Sequence, residues 1–174
     1  MQTKKRSLLA LVIAMTMSLT VACGSTSQTK TEAKKDVLIA GNAEPSTLDP
    51  HDTNDTIAYS YQKTMLEGLF GFDKDMKVVP VLAESYTANA SATEFTIKLR
   101  KGAKFQDGTD FNAAAAKVNL DRLSDQTQKL KRNSLFNMVS KTDIVDDYTI
   151  KITLKSSFGA MINTLAHPAG MMIS

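Results

Sequence analysis

The sequence predicts a mixed α/β domain, in which short strands, hairpins and helices follow one another in no regular order. Residues 94–100 and 148–154 each alternate between apolar and polar side chains, which is typical of a strand with one buried face. Asn112 lies between these strands and precedes four alanines, so it is a candidate N-cap of a helix. The apolar residues that continue this helix at roughly helical spacing are Val118, Leu120 and Leu123.

The region before the first alternating strand is predicted to begin with a strand buried on both faces at Val37–Ala40. A polar loop with two prolines follows from Gly41 to Thr56. Loops of this length without regular structure are uncommon unless they have a function. The next predicted element is a helix over Ile57–Leu66, with Asp55 or Thr56 as its candidate N-cap.

Extended segments are predicted in the middle of the chain. Strands are expected at Leu69–Phe72 and Val78–Leu82, and a hairpin is expected to join Ser85–Ala88 to Glu94–Arg100. Asp107-Gly108 then predicts a tight turn, because glycine tolerates positive φ and aspartate can accept a hydrogen bond from its own backbone.

The last third of the chain is predicted to contain a second hairpin and a helix. Asp143–Val145 and Tyr148–Leu154 form the hairpin, with Asp146-Asp147 as its turn. Phe158–Leu165 has helical spacing, and the apolar run Met171–Ile173 resembles the start of another strand.

The amino terminus has the composition of a secretory signal peptide over residues 1–22. Residues 4–6 are basic, and an apolar run follows from Leu8 to Val21. This run is shorter than the roughly 20 apolar residues that a transmembrane helix needs. The three basic residues account for the whole formal net charge of +3, so the rest of the chain is neutral. A neutral chain argues against a nucleic-acid partner, which requires a basic patch.

Cys23 is the only cysteine, and it follows Thr-Val-Ala in an arrangement that resembles a bacterial lipobox. In a lipobox the cysteine is acylated and becomes the new amino terminus. The alternative is an ordinary signal peptide that leaves a stray thiol. Residues 23–35 are polar and are predicted to be a flexible tether, so the folded part comprises residues 36–174.

The sequence shows no catalytic or metal-binding constellation, and we expect no cofactor. The single cysteine lies in the signal region and no G-x-S-x-G sequence is present, so a nucleophilic hydrolase lacks its signature. His51 and His167 are conceivable zinc ligands together with Asp49 or Asp52, but their spacing matches no known metal site. We interpret the segment around His51 as a solvated turn.

Five blocks of the sequence resemble, in order and spacing, the first lobe of the family 5 solute-binding proteins of peptide and nickel ABC importers. The blocks are STLDPHDTND (46–55), MLEGLFGFDKDMKVVPVLAESY (65–86), LRKGAKFQDGTDFNAAAAKVNLDRL (99–123), KLKRNSLF (129–136) and DDYTIKITLKSSFGAMINTLAHPAGMMIS (146–174). Within the family the chain looks most like the glutathione-binding members. The resemblance implies a periplasmic-binding-protein-like fold of two lobes, of which residues 36–174 are expected to be an incomplete first lobe.

The same resemblance implies that three segments face the solute. The predicted ligand-binding residues are Thr53, Asn54, Asp55, Tyr59, Arg132, Asn133 and His167. The planar guanidinium of Arg132 suits a carboxylate, and Tyr59 offers a flat wall with one polar tip. Structural alternatives stay open: Asp55 caps a helix, Arg132 lies on a solvated helix face, and His167 ends a helix.

The function implied by the resemblance is that of a binding lipoprotein without catalytic activity. It would capture small peptides, including glutathione, outside the cytoplasmic membrane and deliver them to the permease of an ABC importer. It would be periplasmic, or anchored to the membrane through a lipid on Cys23. Three other interpretations stay open: a receptor for nickel or another solute within the family, a secreted hydrolase, and a surface lipoprotein that binds other macromolecules.

Overall fold

A four-stranded antiparallel sheet forms the centre of the computed structural model, which describes residues 40, 41 and 43–174. The described strands are β1 (Phe70–Phe72), β2 (Val78–Pro80), β3 (Ala83–Ala88), β4 (Glu94–Leu99), β5 (Val139–Asp146) and β6 (Thr149–Leu154). The described helices are α1 (Thr56–Gln62), α2 (Ala113–Ser124) and α3 (Met161–Ala166). The central sheet has the order β3–β4–β6–β5, and β1 and β2 form a separate two-stranded ribbon. The mixed α/β class is thus confirmed, and Gly41–Ser174 form one compact unit.

The core lies on one face of this sheet because β4 and β6 alternate between apolar and polar side chains. The fully or almost fully buried apolar residues of these two strands are Phe95, Ile97, Leu99, Ile150, Ile152 and Leu154. Each large apolar side chain that is fully buried contributes about 1.5–3 kcal/mol to the stability of the fold. Helix α2 packs on this face, where it contacts β5 and β6. Ala113 and Ala116 are fully buried, so the small residues at its start allow the close approach.

Both predicted hairpins are confirmed. β3 pairs with β4 and β5 pairs with β6, each in antiparallel register. The second turn differs by one residue from the prediction: Asp146 pairs with Thr149, so Asp147 and Tyr148 form the turn. Asp146 instead accepts a hydrogen bond from the backbone N–H of Tyr148, which fixes the turn at that position.

The predicted N-cap of α2 is also confirmed, because Asn112 Oδ1 accepts a hydrogen bond of 3.1 Å from the backbone N–H of Ala115. Leu120 and Leu123 face the core as expected. Val118 does not, since 67% of it is exposed. Asp107-Gly108 forms the expected tight turn, with a φ of +87° at Gly108.

The two shorter helices have different bounds from those predicted. Helix α1 is capped by Asp55 and ends at Gln62, after which hydrogen bonds of the turn type replace the helical ladder. Helix α3 begins at Met161 rather than Phe158. The backbone N–H of Phe158 donates to the carbonyl oxygen of Ala92, which fixes Phe158 on the β3–β4 connection, and Gly159 and Ala160 form a turn between it and the helix.

The apolar run at Met171–Ile173 makes a single bridge instead of a regular strand. Met171 pairs with Gly68, and the N–H of Met172 donates to the carbonyl oxygen of Glu67. The amide of Asn119 in α2 then holds Ile173 by accepting from its N–H and donating to its carbonyl oxygen. These bonds bury Met171 and Met172 in the core region.

Several predictions concern residues outside those that the structure describes. These are the signal peptide at 1–22, the tether at 23–35 with Cys23, and most of the strand at Val37–Ala40. Ala40 is described, and it lies in no strand. Among the described residues, no helix combines the length and the apolar character that a membrane crossing requires.

Candidate functional site

A cavity of about 140 Å³ lies where three segments distant in sequence meet. Its lining residues are Pro50, Thr53, Asp55, Thr56, Tyr59, Gln62, Arg132, His167, Pro168 and Ala169. Five of the seven predicted ligand-binding residues are therefore brought together: Thr53, Asp55, Tyr59, Arg132 and His167. Asn54 and Asn133 do not line the cavity. A contact between the solute and any of the seven stays a prediction.

Helix α1 supplies one wall of the cavity. Asp55 caps the helix through its Oδ1 atom, which accepts from the N–H of Ile57 at 2.9 Å. That N–H lowers the pKa of the Asp55 carboxyl, which is therefore ionised at neutral pH. Tyr59 and Gln62 follow at helical spacing, so all three side chains lie on the same side of α1. The capping role of Asp55 and its place at the cavity are compatible.

Arg132 supplies a second wall of the cavity. Its Nε atom donates to the carbonyl oxygen of Thr53 at 2.5 Å, and its backbone N–H donates to the carbonyl oxygen of His51 at 3.2 Å. No described residue accepts a hydrogen bond from its terminal Nη1 and Nη2 groups. The solvated-helix alternative for Arg132 is wrong, because the residue is half-buried and precedes a 3₁₀ turn at Asn133–Phe136. Its free guanidinium edge is suited to a carboxylate.

His167 forms the third wall and also ends α3. Its Nδ1 atom accepts from the N–H of Ala169 at 3.1 Å, so the proton of the neutral ring lies on Nε2. Burial lowers the pKa of His167, and the positive charge of Arg132 acts in the same direction. The ring is consequently neutral at pH 7 and presents an N–H donor.

The structure places Asn133 differently from the prediction. Only 7% of the residue is exposed, and its Nδ2 atom donates to the carbonyl oxygen of Asp125 at 3.3 Å. Gln126 donates in turn to the carbonyl oxygen of Asn133, at 3.0 Å. These bonds join the end of α2 to the 3₁₀ turn after Arg132, which is a structural role. Asn54 is exposed to solvent next to the cavity wall.

The solvated-turn interpretation of His51 is wrong. The residue is 0% exposed, and both of its ring nitrogens make hydrogen bonds, to Arg122 and to the carbonyl oxygen of Met171. Arg122 also forms a two-bond ion pair with Asp49, at 2.7 and 3.1 Å. The sequence carries no signal for this arrangement, because more than 70 residues separate Asp49 and His51 from Arg122. Within the described part of the chain, no group of three or more His, Cys, Asp and Glu side chains could hold a metal ion.

Gln62 is a cavity residue that the sequence analysis missed. It is fully buried, and its Nε2 atom donates to the carbonyl oxygen of Thr47 at 3.4 Å, while its Oε1 atom has no partner among the described residues. Its position three residues after Tyr59 is the signal that would have found it.

A second cavity of about 460 Å³ adjoins the first and shares Tyr59, His167 and Pro168 with it. Apolar side chains from the segment after α1, the region of the β1–β2 ribbon and the end of the chain line much of its wall, namely Leu66, Phe70, Phe72, Met76, Val81 and Met171. The charged residues at its edge are Lys63, Glu67 and Asp73. A small cavity lined by both polar and apolar groups therefore lies beside a larger one whose lining is mainly apolar.

Comparison with known sequences places this geometry in context. The family model described as bacterial extracellular solute-binding proteins, family 5 Middle, matches residues 77–174. The glutathione-binding protein GsiB of Escherichia coli (strain K12) is 55% identical over 142 residues. This match covers 82% of the chain, but the chain spans only 28% of the length of that relative.

Solved structures show the same fold. The periplasmic binding protein AgaA of A. tumefaciens R10, in complex with agropinic acid, matches with a TM-score of 0.70 and 39% identity. The match covers 75% of this chain and 26% of AgaA. The substrate-binding domain of an oligopeptide ABC transporter from Bacillus anthracis matches with a TM-score of 0.73 and 24% identity, over 78% of this chain and 29% of that one. The expected periplasmic-binding-protein-like fold is thereby confirmed.

Proposed function

Because the chain belongs to the bacterial extracellular solute-binding proteins of family 5, we propose that it takes part in capturing a small peptide outside the cytoplasmic membrane. Glutathione is the first candidate, since the relative at 55% identity is named as a glutathione-binding protein. The captured solute passes to the permease of an ABC importer. The proposed activity is binding without a chemical step, and the names of the relatives favour it over a hydrolase.

The single observation that carries this proposal is the half-buried Arg132 at the wall of the 140 Å³ cavity. Its Nε atom is used to hold Thr53, which leaves the outer edge of the guanidinium for a solute. Peptides and glutathione carry carboxylates, and an arginine binds a carboxylate through two parallel hydrogen bonds. The neutral ring of His167 and the hydroxyl of Tyr59 add hydrogen-bonding groups to the same cavity.

The size of the cavity limits what it can hold. It is the smaller of the two adjoining cavities, with a volume of about 140 Å³ against about 460 Å³. The cavity therefore accepts one carboxylate end of glutathione, and the rest of the solute extends beyond it. We expect the 174-residue chain to bind glutathione weakly, with a Kd near 1 mM, which corresponds to about −4 kcal/mol.

Nuclear magnetic resonance tests this proposal because it detects millimolar binding. Titration of the ¹⁵N-labelled chain with reduced glutathione should shift the Nε–H resonance of Arg132 and the amide resonances of Thr53 and Ala169. The Arg132→Gln variant should weaken binding by about 10- to 100-fold, since a hydrogen bond to a charged group contributes about 1.5–3 kcal/mol. Arg132→Lys should restore only part of the affinity, because lysine keeps the charge and loses the planar fork. Lys131→Gln, an exposed neighbour outside the cavity, is the matched control.

Glutathione diethyl ester separates a direct contact from a structural effect of the substitution. If Arg132 holds a carboxylate, the wild-type chain should bind the ester as weakly as the Arg132→Gln variant binds glutathione, and the variant should not distinguish the two ligands. Equal affinity of the wild type for both ligands would refute the carboxylate contact. The nickel, hydrolase and surface-interaction alternatives predict no glutathione-dependent shift at the cavity at all.

We also propose that the protein is a lipoprotein acylated at Cys23, outside the described residues. The support for this proposal is the lipobox-like Thr-Val-Ala-Cys sequence behind a basic and apolar leader. A lipid anchor would keep the solute-binding unit at the membrane, close to the permease.

A further inference from the structure

The ring of His51 joins three segments that form the walls of the two cavities. His51 lies in a 3₁₀ turn at Pro50–Asp52, and Pro50 and Thr53 on either side of it line the smaller cavity. Its Nε2 atom lies 2.9 Å from the carbonyl oxygen of Met171, which lines the larger cavity. Its own carbonyl oxygen accepts from the backbone N–H of Arg132. Displacement of this one residue would therefore disturb both walls.

The hydrogen-bond partners determine the protonation of this ring. Arg122 Nη1 lies 2.7 Å from His51 Nδ1, and a guanidinium can only donate. Nδ1 must therefore be an unprotonated acceptor. The carbonyl oxygen of Met171 can only accept, so Nε2 must carry the proton. The two partners together select one neutral tautomer, and this tautomer satisfies both sides of a residue that is 0% exposed.

Protonation of the ring is incompatible with this arrangement. A proton on Nδ1 would face the N–H of Arg122 at 2.7 Å, which replaces a hydrogen bond by the contact of two positive groups. Arg122 cannot turn away without cost, because Asp49 holds it through two further bonds. The cation would also be buried, and an unpaired buried charge is strongly unfavourable. His51 has to leave its place, or the segments around it have to separate, before the ring can accept a proton.

We infer that His51 is a positioning residue for the proposed solute cavity, whose neutral ring holds the 3₁₀ turn, Arg132 and Met171 together and whose protonation opens the cavity wall. The inference rests on the proposed function only in that it concerns the same cavity. The consequence is that the cavity binds solute at neutral pH, when its wall is closed, and releases the solute as the pH falls. No contact between His51 and the solute is involved.

The charges around the ring agree with this inference. Burial lowers the pKa of His51, the carbonyl oxygen of Met171 opposes that effect, Arg122 lowers the pKa further and Asp49 raises it. The segments packed against His51 also carry Asp52, Lys131, Arg132 and His167, and α2 carries Lys117 and Asp121 beside Arg122. A folded-state pKa below the ordinary value of about 6.5 means that the open state binds the proton more readily. The closed wall is therefore fully stable above about pH 6.5 and is weakened as the pH falls below that value.

Hydrogen exchange of the wall segments, measured without any solute, tests the inference. After correction for intrinsic exchange rates, the opening constant of segments 49–53 and 169–173 should rise about tenfold per pH unit below about pH 6.5, until the folded-state pKa is reached. His51→Gln places an amide donor near Met171 but has no acceptor at the Nδ1 position, and should abolish the pH dependence of the 49–53 segment. His167→Gln is the matched control, since it removes the other histidine of the cavity region, and it should retain the dependence of the 49–53 segment.

A direct spectroscopic measurement supports the test if a variant fails to fold. The ¹⁵N shifts of His51 in the wild-type chain should show an unprotonated Nδ1 and a protonated Nε2 at neutral pH. The opposite tautomer, or an unchanged pH dependence in His51→Gln, would overturn the inference. These outcomes are independent of the proposed function, which fails separately if glutathione causes no shift at the cavity of the wild type at neutral pH.

Discussion

At Gly170 the absence of a side chain lets the backbone of the 3₁₀ turn after α3 lie directly against the helix end. A Cβ atom built at this position would lie 2.5 Å from the carbonyl oxygen of Leu165 and 3.2 Å from its carbonyl carbon. Backbone atoms cannot move aside as the end of a flexible side chain can. This close approach places Pro168 and Ala169 at the cavity wall, so a single residue affects both stability and the shape of the site.

We predict that Gly170→Ala lowers the free energy of unfolding by about 1–3 kcal/mol, the usual cost of forcing extra atoms into a packed region. Urea denaturation monitored by circular dichroism measures this change. Gly159→Ala is the matched control, because a Cβ atom at Gly159 would meet nothing within 4 Å. That variant should unfold at the same urea concentration as the wild type or at a slightly higher one. Equal midpoints for Gly170→Ala and the wild type would contradict the close approach.

At the scale of the element, α2 connects the core of the sheet to the site. Its first turn packs Ala113 and Ala116 against the sheet, while Arg122 in its last turn holds Asp49 and His51. The helix therefore transmits the position of the core to the loop that carries Thr53. Its N-terminus depends on Asn112, which satisfies the N–H of Ala115. Loss of that cap should loosen the start of the helix before it affects the end near the site.

Asn112→Ala should accordingly destabilise the protein by about 1 kcal/mol, within the range of 0.5–2 kcal/mol observed for N-cap substitutions. Asn112→Ser should retain most of the stability, because serine is also a good N-cap. Thermal unfolding of the three proteins distinguishes these outcomes. If serine and alanine were equally destabilising, the hydrogen bond to Ala115 would not be the source of the effect.

At the scale of the whole molecule, the compact unit Gly41–Ser174 follows a basic and apolar amino-terminal stretch and a cysteine, a combination that predicts a lipoprotein. A single acyl chain gives only marginal membrane binding, whereas two or more chains anchor a protein stably. The proposed anchoring at Cys23 therefore requires multiple acylation. It would also leave the compact unit outside the membrane, which agrees with the extracellular description of its family.

The chain expressed in a bacterial host with an alkyne fatty acid should become labelled and partition into the membrane fraction. Cys23→Ser should carry no label, because it removes the thiol proposed as the acylation site. Mass spectrometry of the amino-terminal peptide then identifies the lipid. Label that persists at the same level in the Cys23→Ser variant would rule out acylation at this residue.

Local patterns predicted much of the fold because their causes lie within a few residues. The alternation in β4 and β6, the cap at Asn112 and the turn at Gly108 all depend on neighbours in sequence, and the structure confirms each of them. The predicted start of α3 was wrong because its cause lies far away in the sequence. Phe158 forms a backbone hydrogen bond to Ala92, a residue 66 positions earlier in the chain, and no local sequence pattern predicts that bond.

The candidate site divides in the same way. The sequence by itself determined the family, the mixed α/β class and the chemical character of Thr53, Tyr59, Arg132 and His167. Only the tertiary structure decided that these residues line one cavity and that Asn133 does not line it. It also decided that His51 is buried and hydrogen-bonded to segments on the cavity walls. The physical reason is that donors and acceptors are properties of single residues, whereas their partners are set by folding. Arg122 and Met171 reach His51 from positions 71 and 120 residues away along the chain.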